Sequence, residues 1–311
     1  MAESNTNPIL INNLQKSYGA VRAVRGVSFE VQEGEIFGLI GPDGAGKTTI
    51  IRIVVSLLAA DSGEVLFKGR SVGEHIQFVR TNVGYMPQRF SLYQDLTVRE
   101  NLDFFGDLFK VPLDVQRQRR EELYAFSKLG PFENRRAGQL SGGMKQKLAL
   151  SCMLMHEPDV ILLDEPTYGV DPVSRSEFWD ILKKLAERGT TILVTTAYMD
   201  EAHLCDRVGL MFDGQLLALD TPSALLKQFD KPLFLVESSR PHETYTALKN
   251  ADFKGEYNLF GNGVHISAGK DFSRNKLIKL LEENRIEYKS IRPVQPGLED
   301  LFLELQRTAA S

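Results

Sequence analysis

Nine consecutive residues, Gly41-Pro42-Asp43-Gly44-Ala45-Gly46-Lys47-Thr48-Thr49, have the types and the spacing to hold a phosphate group. They fit the pattern G-x-x-x-x-G-K-[ST]. Its glycines let backbone N–H groups curl around an anion, and a helix starting behind them adds partial positive charge. Lys47 can then reach the terminal phosphates of a nucleotide, and the Thr48 hydroxyl can hold Mg²⁺. The plainer reading is a glycine turn capping a helix. Context decides against it: Glu35-Ile36-Phe37-Gly38-Leu39-Ile40 reads as a buried strand before the loop, and Ile50 to Val55 as a helix after it.

Three further places carry polar groups suited to the same chemistry. Val160-Ile161-Leu162-Leu163 is an apolar run ending in Asp164 and Glu165, which fits a central parallel strand buried on both faces. At its carboxyl end Asp164 can bind Mg²⁺ directly or through water, and Glu165 can orient or deprotonate an attacking water. Gln88 follows a strand, Val83 to Met86, that stops at Pro87. Strand ends of open α/β sheets are where polar site residues collect. Ser141-Gly142-Gly143 opens a second helix, Lys147 to Met155, whose free N–H groups suit an anion. The same three residues also make a good N-cap. Tyr18, in the turn before Gly19, is either a stacking platform for a base or an ordinary turn tyrosine.

The elements that position these residues alternate strand and helix. Ile9 to Lys16 and Ala23 to Val31 are β-like, with Val27, Phe29 and Val31 on one face. Gly63 to Gly69 is a short strand between turns. Thr97 to Arg136 is helical and charged, with Leu102, Phe105 and Leu108 on an apolar face. The run Phe90, Leu92, Tyr93 and Leu96 suits core packing or a docking patch. After the turn Gly169-Val170-Asp171-Pro172, Phe178, Ile181, Leu182 and Leu185 mark a helix, and Thr191 to Thr195 a buried strand. Val208 to Phe212 and Leu216 to Leu219 close the sheet about Asp213-Gly214.

Near Lys227 to Pro232 the organisation changes. Leu233–Glu237, His242–Asn250, Phe253–Leu259, Val264–Ser267, Asn275–Glu283 and Ile286–Ile291 read as strand, helix, strand, strand, helix, strand. That order predicts a small ferredoxin-like α+β domain, followed by a helix from Leu298 to Leu305. It carries no catalytic cluster and reads as a contact module.

The bulk numbers allow two domains in 311 residues, with 42% hydrophobic residues to fill their cores. Lys and Arg number 37 against 41 Asp and Glu, so the net charge is −4 and gives no electrostatic case for nucleic acid. Cys152 and Cys205 fit a reducing compartment, and neither has metal-ligand spacing. Met1 to Pro8 is polar without a secretory pattern, and no run reaches the ~18 apolar residues that cross a bilayer. A membrane role therefore comes through a partner.

The ordered set of the glycine loop, the Gln88 loop, Leu140-Ser141-Gly142-Gly143-Met144, Leu162-Leu163-Asp164-Glu165-Pro166 and Gly169-Val170-Asp171-Pro172 resembles the nucleotide-binding subunits of ABC transporters over residues 9 to about 222. The segment Pro296 to Phe302 is similar to subunits of bacterial drug, lipid or polysaccharide exporters. The wording GPDGAGKTT, GYMPQ, LGPF and LSGGMKQKL is especially similar to the first ATPase half of YbhF-type exporters, which carry two cassettes in one polypeptide.

The resemblance implies an α/β P-loop NTPase cassette over 1–226, with a mixed central sheet, an antiparallel β subdomain and a helical subdomain at about 90–155. It leaves 227–311 as the C-terminal α+β domain. It implies ATP as ligand, with Tyr18 on adenine and Gly41, Pro42, Asp43, Gly44, Ala45, Gly46, Lys47, Thr48 and Thr49 around phosphates and Mg²⁺. Thr48, Gln88 and Asp164 would hold the metal. Glu165 would be the base, with Gln88 and Lys47 in the catalytic set. Ser141, Gly142 and Gly143 would contact the γ-phosphate of ATP on a second cassette, a homodimer or tandem mate. A permease coupling helix would dock near Gln88, Phe90, Leu92 and Tyr93. The chain would then lie in the cytoplasm, peripheral on the inner face of the membrane.

Two departures matter. Asp43 stands where the family has Asn, adding negative charge beside the phosphates. Ala197 stands where the family has a histidine on the γ-phosphate, so a donor is lost. His203, six residues on, is too far to substitute when an error near 1 Å already costs ~10²-fold. Slow ATP hydrolysis follows as the expectation. The competing readings are a soluble ABC ATPase acting on ribosomes or DNA and a regulatory protein that never hydrolyses ATP.

Overall fold

Three strands with no polar face, Ile36–Ile40, Val160–Asp164 and Thr191–Thr196, are buried along their whole lengths. Strands of that kind belong at the centre of a parallel sheet covered on both sides. The computed structural model describes residues 7–88, 92–250, 255–261, 263–269 and 272–310. The chain contacts divide it into two units, Met1–Pro222 and Ser223–Ala309.

The first unit opens with β1 (Ile9–Tyr18), β2 (Val21–Val31), β3 (Ile36–Ile40) and α1 (Lys47–Val54). There follow β4 (Ser62–Phe67), β5 (Arg70–Ser71), α2 (Ile76–Asn82) and β6 (Val83–Met86). The helical stretch is α3 (Val98–Leu108), α4 (Leu113–Ser127) and α5 (Gly142–Leu154). Then come β7 (Val160–Asp164), α6 (Pro172–Glu187), β8 (Thr191–Thr196), β9 (Arg207–Phe212) and β10 (Gln215–Asp220), and α7 (Pro222–Leu226) begins at the boundary and belongs almost wholly to the second unit.

The central sheet runs β10-β9-β3-β8-β7-β6, parallel except for the β9–β10 hairpin. A second, antiparallel sheet runs β2-β1-β4-β5. Between the two sheets Phe29 and Phe37 stack with centroids 5.0 Å apart. Such a pair adds about 0.5–1.5 kcal/mol to the area it buries. Valines and isoleucines from both sheets and from α1 complete this core. These are the mixed sheet, antiparallel β subdomain and helical subdomain that the sequence resemblance implies.

The register brings the site together. Ile40 pairs with Thr196, and Asp164 with Thr195, in parallel strands. The segments leaving β3, β7 and β8 therefore emerge side by side at one sheet edge, where ligands of such sheets bind.

The second unit contains β11 (Leu233–Glu237), α8 (Pro241–Asn250), β12 (Glu256–Phe260), β13 (Gly263–Ser267), α9 (Arg274–Glu283), β14 (Ser290–Pro293) and α10 (Leu298–Ala310). Its sheet runs β12-β13-β11-β14, antiparallel throughout, which is the ferredoxin-like order. Phe234, Val236, Val264 and Ile266 meet Leu248, Leu277 and Leu281 of the helices on one face. Toward α10, His265 Nδ1 lies 2.8 Å from Asp300 Oδ1, and Lys231 pairs with Glu304 at 2.7 Å.

One expected strand is corrected. Ile286–Ile291 is not all strand: Ile286 closes the end of α9, its N–H bonded to the Leu281 carbonyl at 2.8 Å after Arg285 at φ 53°. That is a left-handed helix ending with its usual apolar contact, and pairing begins only at Ser290. Phe253, assigned to the preceding strand, lies outside the described residues.

Candidate functional site

The glycine loop turns sharply after β3. The Gly41 N–H bonds the Thr196 carbonyl at 3.2 Å, and Gly46 caps α1 at φ 104° with no side-chain cap. A Cβ at Gly46 would lie 2.2 Å from the Ala23 carbonyl oxygen, so only glycine fits between loop and β2. Lys47, Thr48 and Thr49 form the first turn of α1, where N–H groups lack helical partners. Ala45 is buried beneath the loop, whereas Asp43 and Gly44 are exposed on it.

Lys47 is 3% exposed and curls over the loop. Its Nζ donates to the Gly41 and Pro42 carbonyls at 2.7 and 3.0 Å and lies 3.1 Å from Glu165 Oε1. Glu165 Oε2 in turn accepts from Gln88 Nε2 at 2.8 Å. Gln88, exposed beyond β6, reaches the acid pair across the neighbouring strand end.

Asp164 Oδ1 accepts two hydroxyls, Thr48 Oγ1 and Thr195 Oγ1, each at 2.9 Å. Burial holds its carboxyl above the ordinary aspartate range, helped by the charge of Glu165 and opposed by the two hydroxyl bonds. Glu165 takes a left-handed backbone, φ 50°, costing about 1–2 kcal/mol for a residue with a Cβ. Its N–H is held by both the carbonyl and the hydroxyl of Thr195, at 3.1 Å each. Thr195 thus fixes both acids. No sequence motif marks Thr195; the available signal is a threonine closing an aliphatic strand.

Thr48, Asp164 and the Gln88 amide offer oxygen donors, the chemistry a hard cation such as Mg²⁺ takes. Among the described residues no cluster of three or more His, Cys, Asp or Glu is arranged for a metal. A cation held by one carboxylate, a hydroxyl and nucleotide phosphates needs none.

Ser141, Gly142 and Gly143 stand apart from this cluster, at the start of α5. Ser141 Oγ accepts the Met144 N–H at 3.3 Å as N-cap. A Cβ at Gly143 would come 2.4 Å from the Ser174 side chain, so α5 packs hard against the start of α6. Gly142 is exposed with open space around it. Tyr18 ends β1 opposite Val21 and is 47% exposed. Val21 is two residues from Ala23, whose carbonyl abuts Gly46, so the hairpin tip lies beside the glycine loop.

Ala197 follows β8 directly and is half-buried. His203 lies in a short turn, Met199–Leu204, and is exposed. In the expected docking groove Leu92 turns inward, 6% exposed, while Tyr93 stays out and packs its edge on Phe104 with centroids 4.5 Å apart. Leu108 and Leu113 are exposed as well. Phe90 lies outside the described residues. No helix among the described residues is long and apolar enough to cross a membrane.

With this geometry in place, comparison with known proteins is specific. The family described as "ABC transporter" matches residues 24–168. The chain is 39% identical over 303 residues to the probable multidrug ABC transporter ATP-binding protein YbhF of Escherichia coli (strain K12), covering 96% of this chain and 52% of that protein. It therefore spans about half the length of that relative. It is 40% identical to the Nod factor export ATP-binding protein I of Rhizobium sp. (strain N33), over 94% of each chain. Among solved structures, the dimeric form of a bacterial ABC transporter cassette superposes with a TM-score of 0.63 at 28% identity, covering 68% of this chain and 98% of that one.

Proposed function

This chain belongs to the ABC transporter family as an ATP-binding subunit, and on that premise we propose that it is a slowly hydrolysing ATPase that powers export through a separate permease. Subunits of this kind work as dimers with membrane permeases. Lys47 neutralises the terminal phosphates, the N–H groups of the Gly41–Thr49 loop wrap them, and Tyr18 stacks on adenine. Thr48, Asp164 and Gln88 hold Mg²⁺, which when bound polarises the phosphate oxygens. Glu165 takes the proton of the water that attacks the γ-phosphorus as the bond to ADP breaks. In the structure Glu165 is paired to Lys47. Drawing Lys47 onto phosphate frees the carboxylate to act as base.

Ser141, Gly142 and Gly143 meet the γ-phosphate held by a second cassette, in a homodimer or a tandem pair. The groove near Gln88 to Tyr93 receives the permease, so the subunit sits peripherally on the cytoplasmic face. The name of the Rhizobium relative speaks of export, which favours that direction of transport.

The observation that carries slow turnover is Ala197. It occupies the position next to Thr196, beside Gly41 and the acid pair, with no donor to offer developing charge. Ala197→His is expected to raise kcat by at least roughly tenfold, since one such donor is worth about 10²–10³ in a fully organised site. Vigorous turnover by the unaltered chain defeats the degenerate-site reading. Complete lack of hydrolysis, even with permease and second cassette present, points instead to a regulatory nucleotide-binding role.

A further inference from the structure

Glu201 is 1% exposed, and none of the roles above uses it. It lies in the turn Met199–Leu204 that follows Ala197. Its Oε1 accepts a 2.7 Å hydrogen bond from the Thr167 hydroxyl, which is equally buried. Arg175 of α6 brings Nε within 3.8 Å of the same oxygen and lays its guanidinium 4.1 Å over the Tyr198 ring. It also reaches Asp200 at 3.5 Å. The other oxygen of Glu201, Oε2, has no hydrogen-bond partner among the described residues.

A buried carboxylate with one oxygen unbonded is a poor device for stability, because apolar residues of similar volume often do as well or better. What this one does is join segments far apart in sequence. Thr167 lies in the turn directly after Glu165, closed by Tyr168 N–H to the Glu165 carbonyl at 3.2 Å and Val170 N–H to the Thr167 carbonyl at 3.1 Å. On the other side, Ala197 is flanked by Thr196, whose hydroxyl accepts the Tyr198 N–H at 3.0 Å, and by Tyr198 under Arg175. The Ala197 turn is thus held by β8 at one end and by Thr167 and Arg175 at the other.

We propose that Glu201 is a positioning residue for hydrolysis, locking the Ala197 turn through Thr167 to the turn behind Glu165 so that the two move as one unit. The proposal rests on the hydrolytic reading of the site. A charged acceptor makes the bond about twice as strong as a neutral one. Strength matters here because an error near 1 Å at a reacting centre already costs ~10²-fold. In a cassette with no histidine at position 197, the coupling keeps the turn ordered where a contact to phosphate is missing.

The test uses the full chain carrying Thr167→Val, Thr167→Ser or Glu201→Gln, each alone and with Ala197→His. ATP hydrolysis and amide hydrogen exchange are measured. Thr167→Val is expected to lower kcat roughly tenfold, as losing one bond to a charged group does, with KM for ATP within about twofold. Thr167→Ser restores kcat because it restores the hydroxyl. Exchange across residues 198–204 should quicken about tenfold in Thr167→Val, though the substitution lies some thirty residues away in sequence. Unchanged kcat and exchange overturn the proposal, as does loss of kcat that serine fails to recover. If neither the unaltered chain nor Ala197→His hydrolyses ATP, the hydrolytic reading fails separately. Exchange then decides the coupling alone: faster supports it, unchanged overturns it. Glu201→Gln keeps the shape and removes the charge, and Thr167→Val deletes a single hydroxyl should the glutamine variant not fold.

Discussion

Lys47 Nζ and Glu165 Oε1 lie 3.1 Å apart with both side chains almost wholly buried. The two charges, proposed above as the phosphate-binding cation and the hydrolytic base, therefore neutralise one another across the mouth of the glycine loop. Removing one member of such a pair leaves a buried charge uncompensated, which costs about 3–5 kcal/mol, whereas removing both is often neutral. Lys47→Met should accordingly lower unfolding stability by roughly 3 kcal/mol, and adding Glu165→Gln should return most of that loss. A denaturant double-mutant cycle measures it. Simple additivity means that the two do not interact.

Asp164 provides a pH dependence. Its carboxyl is raised above the ordinary value of 3.8, chiefly by burial. The folded state thus holds a proton that the unfolded state has already released, so this group's contribution to stability is full below 3.8 and falls as pH rises toward the raised value. In the proposed role Mg²⁺ would take the ionised carboxylate. Affinity for Mg²⁺-ATP should therefore rise with pH across that window, and binding should release a proton at its acid end. Calorimetry in two buffers of different ionisation heat reads the proton directly, and Asp164→Asn should abolish its release.

The two cysteines report on packing. Burial pushes the Cys205 thiol up, aided by the charges of Glu201 and Asp206, and burial alone pushes Cys152 up. The thiolate is the reactive form, so neither should be alkylated in the folded protein at neutral pH. Both should label after denaturation, by intact mass. Rapid labelling of Cys205 in the native state would mean that the Met199–Leu204 turn opens readily, because its sulfur sits 3.8 Å from the Glu201 carbonyl.

What could be read from the sequence was whatever lay close together in it. The glycine loop is nine consecutive residues, and the acid pair ends a run whose aliphatic composition announces a central strand. The C-terminal strand and helix order was legible for the same reason. Ile286 misled because an apolar residue after a helix looks the same whether it starts a strand or closes the helix. Residues joined only in space carried no local signal. Thr195 serves both acids from a different strand, and Thr167, Arg175 and Glu201 meet across 34 residues of chain.

Gly143 gives a prediction that separates packing from chemistry. A methyl group there would sit 2.4 Å from both Cβ and Oγ of Ser174, a distance no adjustment of a rotamer alone relieves. Ser174 is fixed because its N–H bonds Asp171, the N-cap of α6, at 2.9 Å. Gly143→Ala must therefore push the start of α5 away from α6, an overpacking that costs about 1–3 kcal/mol and displaces Ser141 and Gly142 together. ATP binding by the single chain, proposed above to use the Gly41 loop, should change less than about twofold, while hydrolysis by the assembled pair should fall at least roughly tenfold. Ser174→Gly removes both clashing atoms. In the double variant hydrolysis should recover most of the loss, read by ATPase assay at matched protein concentration. Recovery places the defect in packing between α5 and α6; persistent loss places it in a direct role for Gly143 at the phosphate of the second cassette.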